Sequence, residues 1–372
     1  MKVPRYNYRT QFTDLPGLTE RIRNALTAGD YILGGSVERF EERFASYLGT
    51  RHAIGVNSGT DALTLGLAAL GIGPGDEVIT VANTFHATVL AVVSVGATPI
   101  LVDCEPDTYL MDLDAAEAAC GPHTRAIIAV HLFGRSLDMD RLTTIATHRG
   151  IALIEDCAQA VGCTWHGQRV GTFGDVAAFS FHPSKNLAGA GDGGALVTDD
   201  PQIARTARIL RSLGQDGQHN HVAIGVNSKL DALQAIILDA KLDHLDDWNA
   251  ARTSIAYRYS DTLSCNGISV DNMPATPGDH VYHLLQLAVA DRDGVLTRLR
   301  VDGVDAVVRY PVPIHRQPAF AHHEFSSPFP HAEYQAANTL CLPIRPDLTD
   351  ADIEYVCRSV HSAINDTQEM PV

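Results

Sequence analysis

Lys185 stands between an apolar run and a glycine-rich segment, in the stretch AFSFHPSKNLAGAGDGGALVT at 178–198. A lysine is strongly hydrated and is seldom fully buried without a partner. Its position after the run 178–181 therefore requires either a route to solvent or a chemical purpose. The glycines at 189, 191 and 194 match G-x-G-x-x-G. They precede a predicted strand instead of following one and opening a helix, so we exclude a dinucleotide site.

Two other polar segments directly follow apolar runs. NSGTD at 57–61 separates the run 53–56 from a predicted helix, and EDCAQ at 155–159 ends the run 151–154. Ligands of open α/β sheets bind beyond the carboxyl ends of the strands. The start of a helix favours an anion such as phosphate, and the hydroxyls of Ser58 and Thr60 add donors. A buried carboxylate at 155 or 156 needs a cation or hydrogen-bond donors.

Taken singly, these three features are compatible with an ordinary helix cap, a structural salt bridge and a solvated loop lysine. Together they match one ligand, because pyridoxal phosphate requires a phosphate site, an acid for its ring nitrogen and an amine for its aldehyde. The cofactor is held as a lysine Schiff base, here with Lys185, and Asp156 is the acidic partner. Phe85 is available to cover the ring.

An alternation of short apolar runs and helical stretches must position these residues. The runs lie at 53–56, 78–81, 99–102, 126–130 and 151–154, with further predicted strands at 175–181 and 194–198. This pattern predicts an α/β fold with a mainly parallel sheet covered by helices on both faces.

Helical segments flank this region on both sides. Amphipathic helices are predicted at 15–28 and 37–48, and one long helical region at 229–263. The pattern beyond residue 263 predicts a strand at 284–289, a helix at 294–301 and a final helix at 349–363. We therefore predict a large cofactor-binding domain at 1–248 and a small α+β domain at 249–372.

The bulk properties exclude several classes of protein. The 372 residues include 28 lysines and arginines against 44 aspartates and glutamates, a formal net charge of −16 that disfavours nucleic-acid binding. No apolar run approaches the roughly 20 residues of a membrane span, and the N-terminus lacks a secretory apolar core. We predict a cytoplasmic protein with reduced thiols and no metal site, since the seven cysteines form no C-x-x-C pair.

The sequence resembles the DegT/DnrJ/StrS-type sugar aminotransferases, which are fold type I pyridoxal-phosphate enzymes, over nearly its whole length. The resemblance lies in GGSVERFE (34–41), VNSGTDAL (56–63), GIGPGDEVI (71–79), EDCAQAVG (155–162), FSFHPSKNL (179–187), GDGGALVT (191–198) and VNSKLDALQA (226–235). It implies that Lys185 binds the cofactor, Asp156 pairs with the pyridinium nitrogen, Gln159 contacts the ring hydroxyl and Phe85 stacks on the ring. The phosphate is expected to contact Ser58, Gly59, Thr60, Ser180 and, from a second subunit, Asn227. A homodimer with shared active sites is thereby implied.

Within this family, the segments 226–235 and 310–315 look most like enzymes that aminate C3 of a thymidine-diphosphate 3-keto-6-deoxyhexose, with L-glutamate as the expected donor. Arg309 stands where that group has a histidine, and an arginine can pair with a diphosphate. We expect Arg309, Tyr310 and His315 to bind substrate.

Four alternatives remain open at this point. Amination at C4 and amination of a keto-cyclitol keep the chemistry and change the acceptor. A pyridoxamine-dependent sugar dehydratase has a histidine in place of the lysine, so Lys185 argues against it and His182 is expected in the cavity wall. A noncatalytic sensor that retains the pocket is the fourth alternative.

Overall fold

A seven-stranded sheet is the largest element of the computed structural model, which describes residues 1–12, 15–265, 267–270, 273, 276, 278–325 and 328–368. The strands are β1 (His52–Val56), β2 (Glu77–Val81), β3 (Thr98–Val102), β4 (Thr124–Val130), β5 (Ala152–Asp156), β6 (Thr164–Trp165), β7 (Gln168–Arg169), β8 (Val176–Ser180), β9 (Gly194–Thr198), β10 (Leu285–Ala288) and β11 (Thr339–Leu342). The sheet order is β1-β9-β8-β5-β4-β2-β3. Strand β9 is antiparallel to both of its neighbours, and the other pairs are parallel. The prediction of a mainly parallel sheet is confirmed.

Helices cover both faces of the sheet. They are α1 (Leu18–Ala28), α2 (Gly35–Leu48), α3 (Gly59–Ala69), α4 (His86–Ser94), α5 (Leu113–Ala118), α6 (Met139–Arg149), α7 (Pro201–Arg211), α8 (Ala232–Leu242), α9 (Leu245–Ser264), α10 (Arg292–Val301), α11 (Pro330–Asn338) and α12 (Asp350–Gln368). Alternate side chains of a strand point to opposite faces. Accordingly, Val176 and Ala178 of β8 pack in one core with α3 and α4, while Ala177 and Phe179 pack in another with α2 and α8. None of these helices, within the described residues, is long and apolar enough to cross a membrane.

The helical region predicted at 229–263 is broken in two at Asp243 and His244. The break allows the two halves to pack against different cores. Leu238 and Leu242 of α8 pack with α2, whereas Tyr259 of α9 packs with the C-terminal elements.

The C-terminal elements share a core of their own. It joins α9, α10 and α12 to the antiparallel pair β10 and β11. Val3 is fully buried in the same core and pairs with Val304. The division at 248/249 stays a prediction, and the first residues of the chain pack with the C-terminal part.

Candidate active site

The ends of β1, β5 and β8 meet at one edge of the sheet and line a cavity of about 390 Å³. Its lining includes the predicted residues Ser58, Gly59, Thr60, Phe85, Asp156, Gln159, Ser180, Lys185, Arg309 and Tyr310, and also His182. The sheet order places β1 two strands from β8. Ser58 and Ser180 therefore line one cavity although they are more than 100 residues apart in the sequence.

The start of α3 forms one end of the cavity. Ser58 caps the helix, its Oγ accepting from the N–H of Asp61 at 3.0 Å. The N–H groups of the first helical turn have no helical acceptors, so those of Gly59 and Thr60 can donate to an anion. A Cβ on Gly59 would lie 2.8 Å from Cβ of Ser180. Glycine therefore allows the helix start to approach the end of β8, where the hydroxyl of Ser180 adds a donor.

Two adjacent carboxylates at the end of β5 point to opposite faces. Asp156 lines the cavity, where its carboxylate accepts from Thr88 Oγ1 at 2.8 Å and from the Ala158 N–H at 3.1 Å. Burial raises the pKa of Asp156, and these two bonds and the charge of Lys185 oppose that rise. These contacts favour the ionised carboxylate, which can accept a hydrogen bond from a protonated group of a ligand.

Glu155 serves the opposite face as a structural acceptor. It accepts from the N–H groups of Gly171, Phe173 and Gly174 at 2.7 to 2.8 Å. It also faces Nε2 of His131 at 3.2 Å, while Nδ1 of that ring accepts from the Leu137 N–H. His131, Glu155 and Cys157 have ligand atoms within 4.8 Å of one another, but these hydrogen bonds already occupy the histidine and the carboxylate.

Lys185 lies half-buried in the turn after β8. Its N–H donates to the His182 carbonyl at 2.8 Å, and the next residue, Asn186, donates to Asn249 Oδ1 and to the Val281 carbonyl. Burial lowers the pKa of Lys185 to about 8, and the positive charge of Arg309 acts in the same direction. The negative charge of Asp156 opposes this shift, so the amine and the carboxylate interact electrostatically across the cavity.

Gln159 and Tyr310 form the side of the cavity next to Phe85. Gln159 Oε1 accepts from the Phe133 N–H at 2.6 Å, and its Nε2 donates to Tyr310 Oη at 3.0 Å. The rings of Tyr310 and Phe85 lie 5.3 Å apart at 33°. Burial raises the pKa of Tyr310 and keeps its hydroxyl protonated.

Asn227 and His315 are not among the lining residues. Asn227 Oδ1 accepts from Lys229 Nζ, and the adjacent Ser228 Oγ donates to Asp61 at 2.7 Å. The side chain of His315 faces Glu333 at 2.9 Å and packs against Phe329. The structure gives His315 no place in the cavity, and its role in substrate binding stays a prediction.

Sequence reasoning did not identify Thr88. This residue lies in the first turn of α4, three positions after Phe85, and the side chain of Thr84 holds its hydroxyl at 2.8 Å. The signal available in the sequence was the spacing T-F-H-A-T at 84–88, which places both hydroxyls on one side of a helix start.

Thr88→Val should shift the pH dependence of activity. Loss of this bond to a charged group costs about 1.5–3 kcal/mol, or roughly 1–2 pH units in the pKa of Asp156. Because the bond stabilises the ionised carboxylate, its removal raises that pKa further, and the acid limb of the kcat/KM profile should move to higher pH. Thr253→Val, which removes a half-buried hydroxyl that donates to the Asn249 carbonyl within α9, is the matched control. An unchanged acid limb in Thr88→Val would show that this bond does not control Asp156.

Residues 17–361 match the DegT/DnrJ/EryC1/StrS aminotransferase family. The dTDP-3-amino-3,4,6-trideoxy-alpha-D-glucose transaminase of Streptomyces venezuelae is 42% identical over 351 residues, 93% of this chain and 92% of that protein. The crystal structure of S. venezuelae DesV in complex with a ketimine intermediate is 40% identical with a TM-score of 0.93, over 100% of both chains. The structure of NtdA from Bacillus subtilis with bound cofactor PMP is 34% identical with a TM-score of 0.91, over 98% of this chain and 85% of that chain.

Proposed function

Because the chain belongs to the DegT/DnrJ/EryC1/StrS aminotransferase family, we propose that it transfers an amino group from L-glutamate to C3 of a dTDP-linked 3-keto-6-deoxyhexose. The chain is a pyridoxal-phosphate-dependent sugar aminotransferase. The choice of acceptor is supported by the dTDP-linked 3-amino sugar in the name of the Streptomyces relative. The observation that carries the proposal is the convergence of Lys185, Asp156 and the start of α3 on one cavity.

The residues present fit this cofactor. Asp156 is a buried acid whose protein donors are Thr88 and Ala158, so it would hold the ring nitrogen in its protonated form. The first turn of α3 and the hydroxyl of Ser180 would hold the phosphate, and Phe85 would cover the ring. When bound, pyridoxal phosphate supplies an electron sink for the carbanion next to the transferred nitrogen.

Lys185 would both anchor the cofactor and move the proton during amino transfer. Its side chain lines the same cavity as Asp156 and Ser180, so its amine would be available there to accept and return a proton. A base is most effective when its pKa lies near the working pH, and burial lowers the pKa of Lys185 to about 8.

The rate of proton transfer should therefore depend on the neutral form of Lys185. Below pH 8 the rate in single-turnover reactions is expected to fall about tenfold per pH unit, because the protonated amine cannot accept a proton. In Arg309→Gln this limb should move to higher pH, since the charge of Arg309 lowers the pKa of Lys185. Stopped-flow measurements between pH 6 and 9 test this. A pH-independent rate in the wild type would exclude Lys185 as the proton carrier.

Arg309 is the residue that we propose for the sugar diphosphate. The protein carries a net charge of −16, so an anionic substrate needs a local cation, and Arg309 supplies one in the cavity lining. Tyr310 follows it and contacts both Gln159 and Phe85. The acceptor sugar would thus lie between Arg309 and the cofactor ring.

We further propose a homodimer, in which Asn227 of one subunit reaches the phosphate in the other. The support from this chain is the segment around Asn227, where Val222, Ile224 and Val226 are all exposed and Ile224 is wholly so. An apolar patch of this kind is typical of a surface that another chain covers. The cytoplasmic location stays a prediction.

The function is tested by incubating the holoenzyme with L-glutamate and a panel of keto sugars, followed by mass spectrometry and NMR of the product. A dTDP-linked sugar with nitrogen at C3 is the expected result. Nitrogen at C4 would show that the protein is a 4-aminotransferase instead. Turnover of a keto-cyclitol alone would mean that the acceptor carries no nucleotide. Binding without any turnover would favour a noncatalytic sensor.

A further inference from the structure

A second cavity, of about 230 Å³, lies against the turn that carries Lys185. It shares Tyr6, Ser184 and Lys185 with the active-site cavity, so the same turn contributes to both. Residues of the N-terminal segment, of α8 and α9, and of the segment 345–347 form its other walls. The proposed amino transfer assigns no role to this cavity.

Lys241 contributes a buried ammonium group to the second cavity. The residue is 1% exposed, and its Nζ donates to the Ala188 carbonyl at 2.8 Å and to Gln11 Oε1 at 3.3 Å. It also lies 4.2 Å from the centre of the Phe12 ring. An ammonium group has three donors, so one remains after these two acceptors. Among the described residues, no carboxylate forms a salt bridge with Lys241.

Arg252 contributes a second buried cation. It is 9% exposed, and Nη1 donates to the carbonyls of Ile344 at 2.8 Å and Tyr282 at 3.2 Å. Its Nε is buried without a partner among the described residues. Burial lowers the pKa of Lys241 to about 8 and that of Arg252 to about 10, and the negative charge of Asp347 opposes the shift of Arg252 only in part.

Asp347 is an acidic residue in the lining of this cavity, and its carboxylate already has partners. Asp347 pairs with Arg345 at 2.6 Å and accepts from Asn7 at 2.7 Å and Thr10 at 3.0 Å. Because Asp347 already pairs with Arg345, it offsets the charge of Arg252 only in part, and no described carboxylate pairs with Lys241. A buried cation is costly unless an anion or several acceptors replace its water. Two such cations beside one cavity indicate a binding site for an anion.

We propose that this second cavity binds a small oxyanion, a carboxylate or a phosphate, held by Lys241 and Arg252. An arginine fork and a lysine point charge are the side chains that proteins use for these groups. Because Ser184 and Lys185 line both cavities, a bound anion would touch the turn that positions the reactive amine. None of the contacts that define this anion site depends on which sugar the enzyme aminates.

The first experiment titrates the cofactor-loaded wild-type enzyme with inorganic phosphate, and separately with succinate, by calorimetry at constant ionic strength in chloride. Saturable binding of either probe is expected, and the tighter probe identifies the class of anion. Ala251→Leu places a larger side chain in the cavity wall and should weaken binding at least tenfold. Ala250→Leu, at the exposed neighbouring position on α9, should leave it unchanged. Binding that is equal in both variants, or absent in the wild type, would overturn the proposal.

A second experiment needs no variant. Crystals of the holoenzyme soaked in selenate should show an anomalous peak within contact of Lys241 Nζ and the Arg252 guanidinium. A peak confined to the active-site cavity, or no peak, would contradict the site.

Discussion

Lys185→Ala is expected to lower kcat by about 10⁴-fold or more, because the proposed function assigns to this one side chain both the anchoring of the cofactor and the transfer of the proton. The other lysines do not line the active-site cavity, so none can replace it. The variant should fold normally, since the change removes an amine whose pKa burial already lowers. Steady-state turnover of glutamate and the keto sugar measures the loss.

A second measurement separates loss of the anchor from loss of the fold. After borohydride reduction, intact mass spectrometry should show a cofactor adduct on the wild type and on the control Lys2→Ala, but not on Lys185→Ala. The Tm of the variant should stay close to that of the wild type. Full activity in Lys185→Ala, or an adduct on another residue, would remove Lys185 from the mechanism.

Asp156→Asn is expected to lower kcat by about 10² to 10⁴-fold while leaving the fold intact. A neutral amide could not stabilise a protonated ring nitrogen, so the bound cofactor would be a weaker electron sink. The two native donors bind different oxygens of Asp156, Thr88 at Oδ2 and the Ala158 N–H at Oδ1. In the variant the amide oxygen can keep the bond from Ala158, and the NH₂ group can donate to the hydroxyl of Thr88, which is able to accept. Turnover and Tm, measured on the same preparation, give both parts of the result.

The neighbouring Glu155→Gln is the matched control and should give the opposite pattern. The carboxylate of Glu155 accepts from three backbone N–H groups. An amide presents an NH₂ group to at least one of those donors, which costs about 1–3 kcal/mol. Tm should fall, whereas turnover below the unfolding transition should stay near that of the wild type. Similar kinetic losses in both variants would mean that the two acids do not have separate roles.

The sequence predicted those features that depend on local patterns. Short apolar runs marked the strands of the sheet, and the polar segments after β1, β5 and β8 marked the edge where the cavity lies. The position of β9 was not predictable in this way, because its pairing with β1 joins segments that are far apart in the sequence.

Features that depend on packing were also missed. The break between α8 and α9 follows from the need to bury Leu242 and Tyr259 in different cores, and no glycine or proline marks it. Thr88 could not be assigned because its partner, Asp156, lies 68 residues away. The contact of His315 with Glu333 was not predictable either, and the role of His315 in substrate binding stays a prediction.

The alternation of Glu155 and Asp156 limits how this strand can change. A single residue inserted or deleted between 151 and 155 would exchange the two acids between the faces of the sheet. Asp156 would then face the three backbone N–H groups that Glu155 now binds, and Glu155 would enter the cavity with its longer side chain. The loops around β5 can therefore vary in length over evolution, while the number of residues inside the strand cannot.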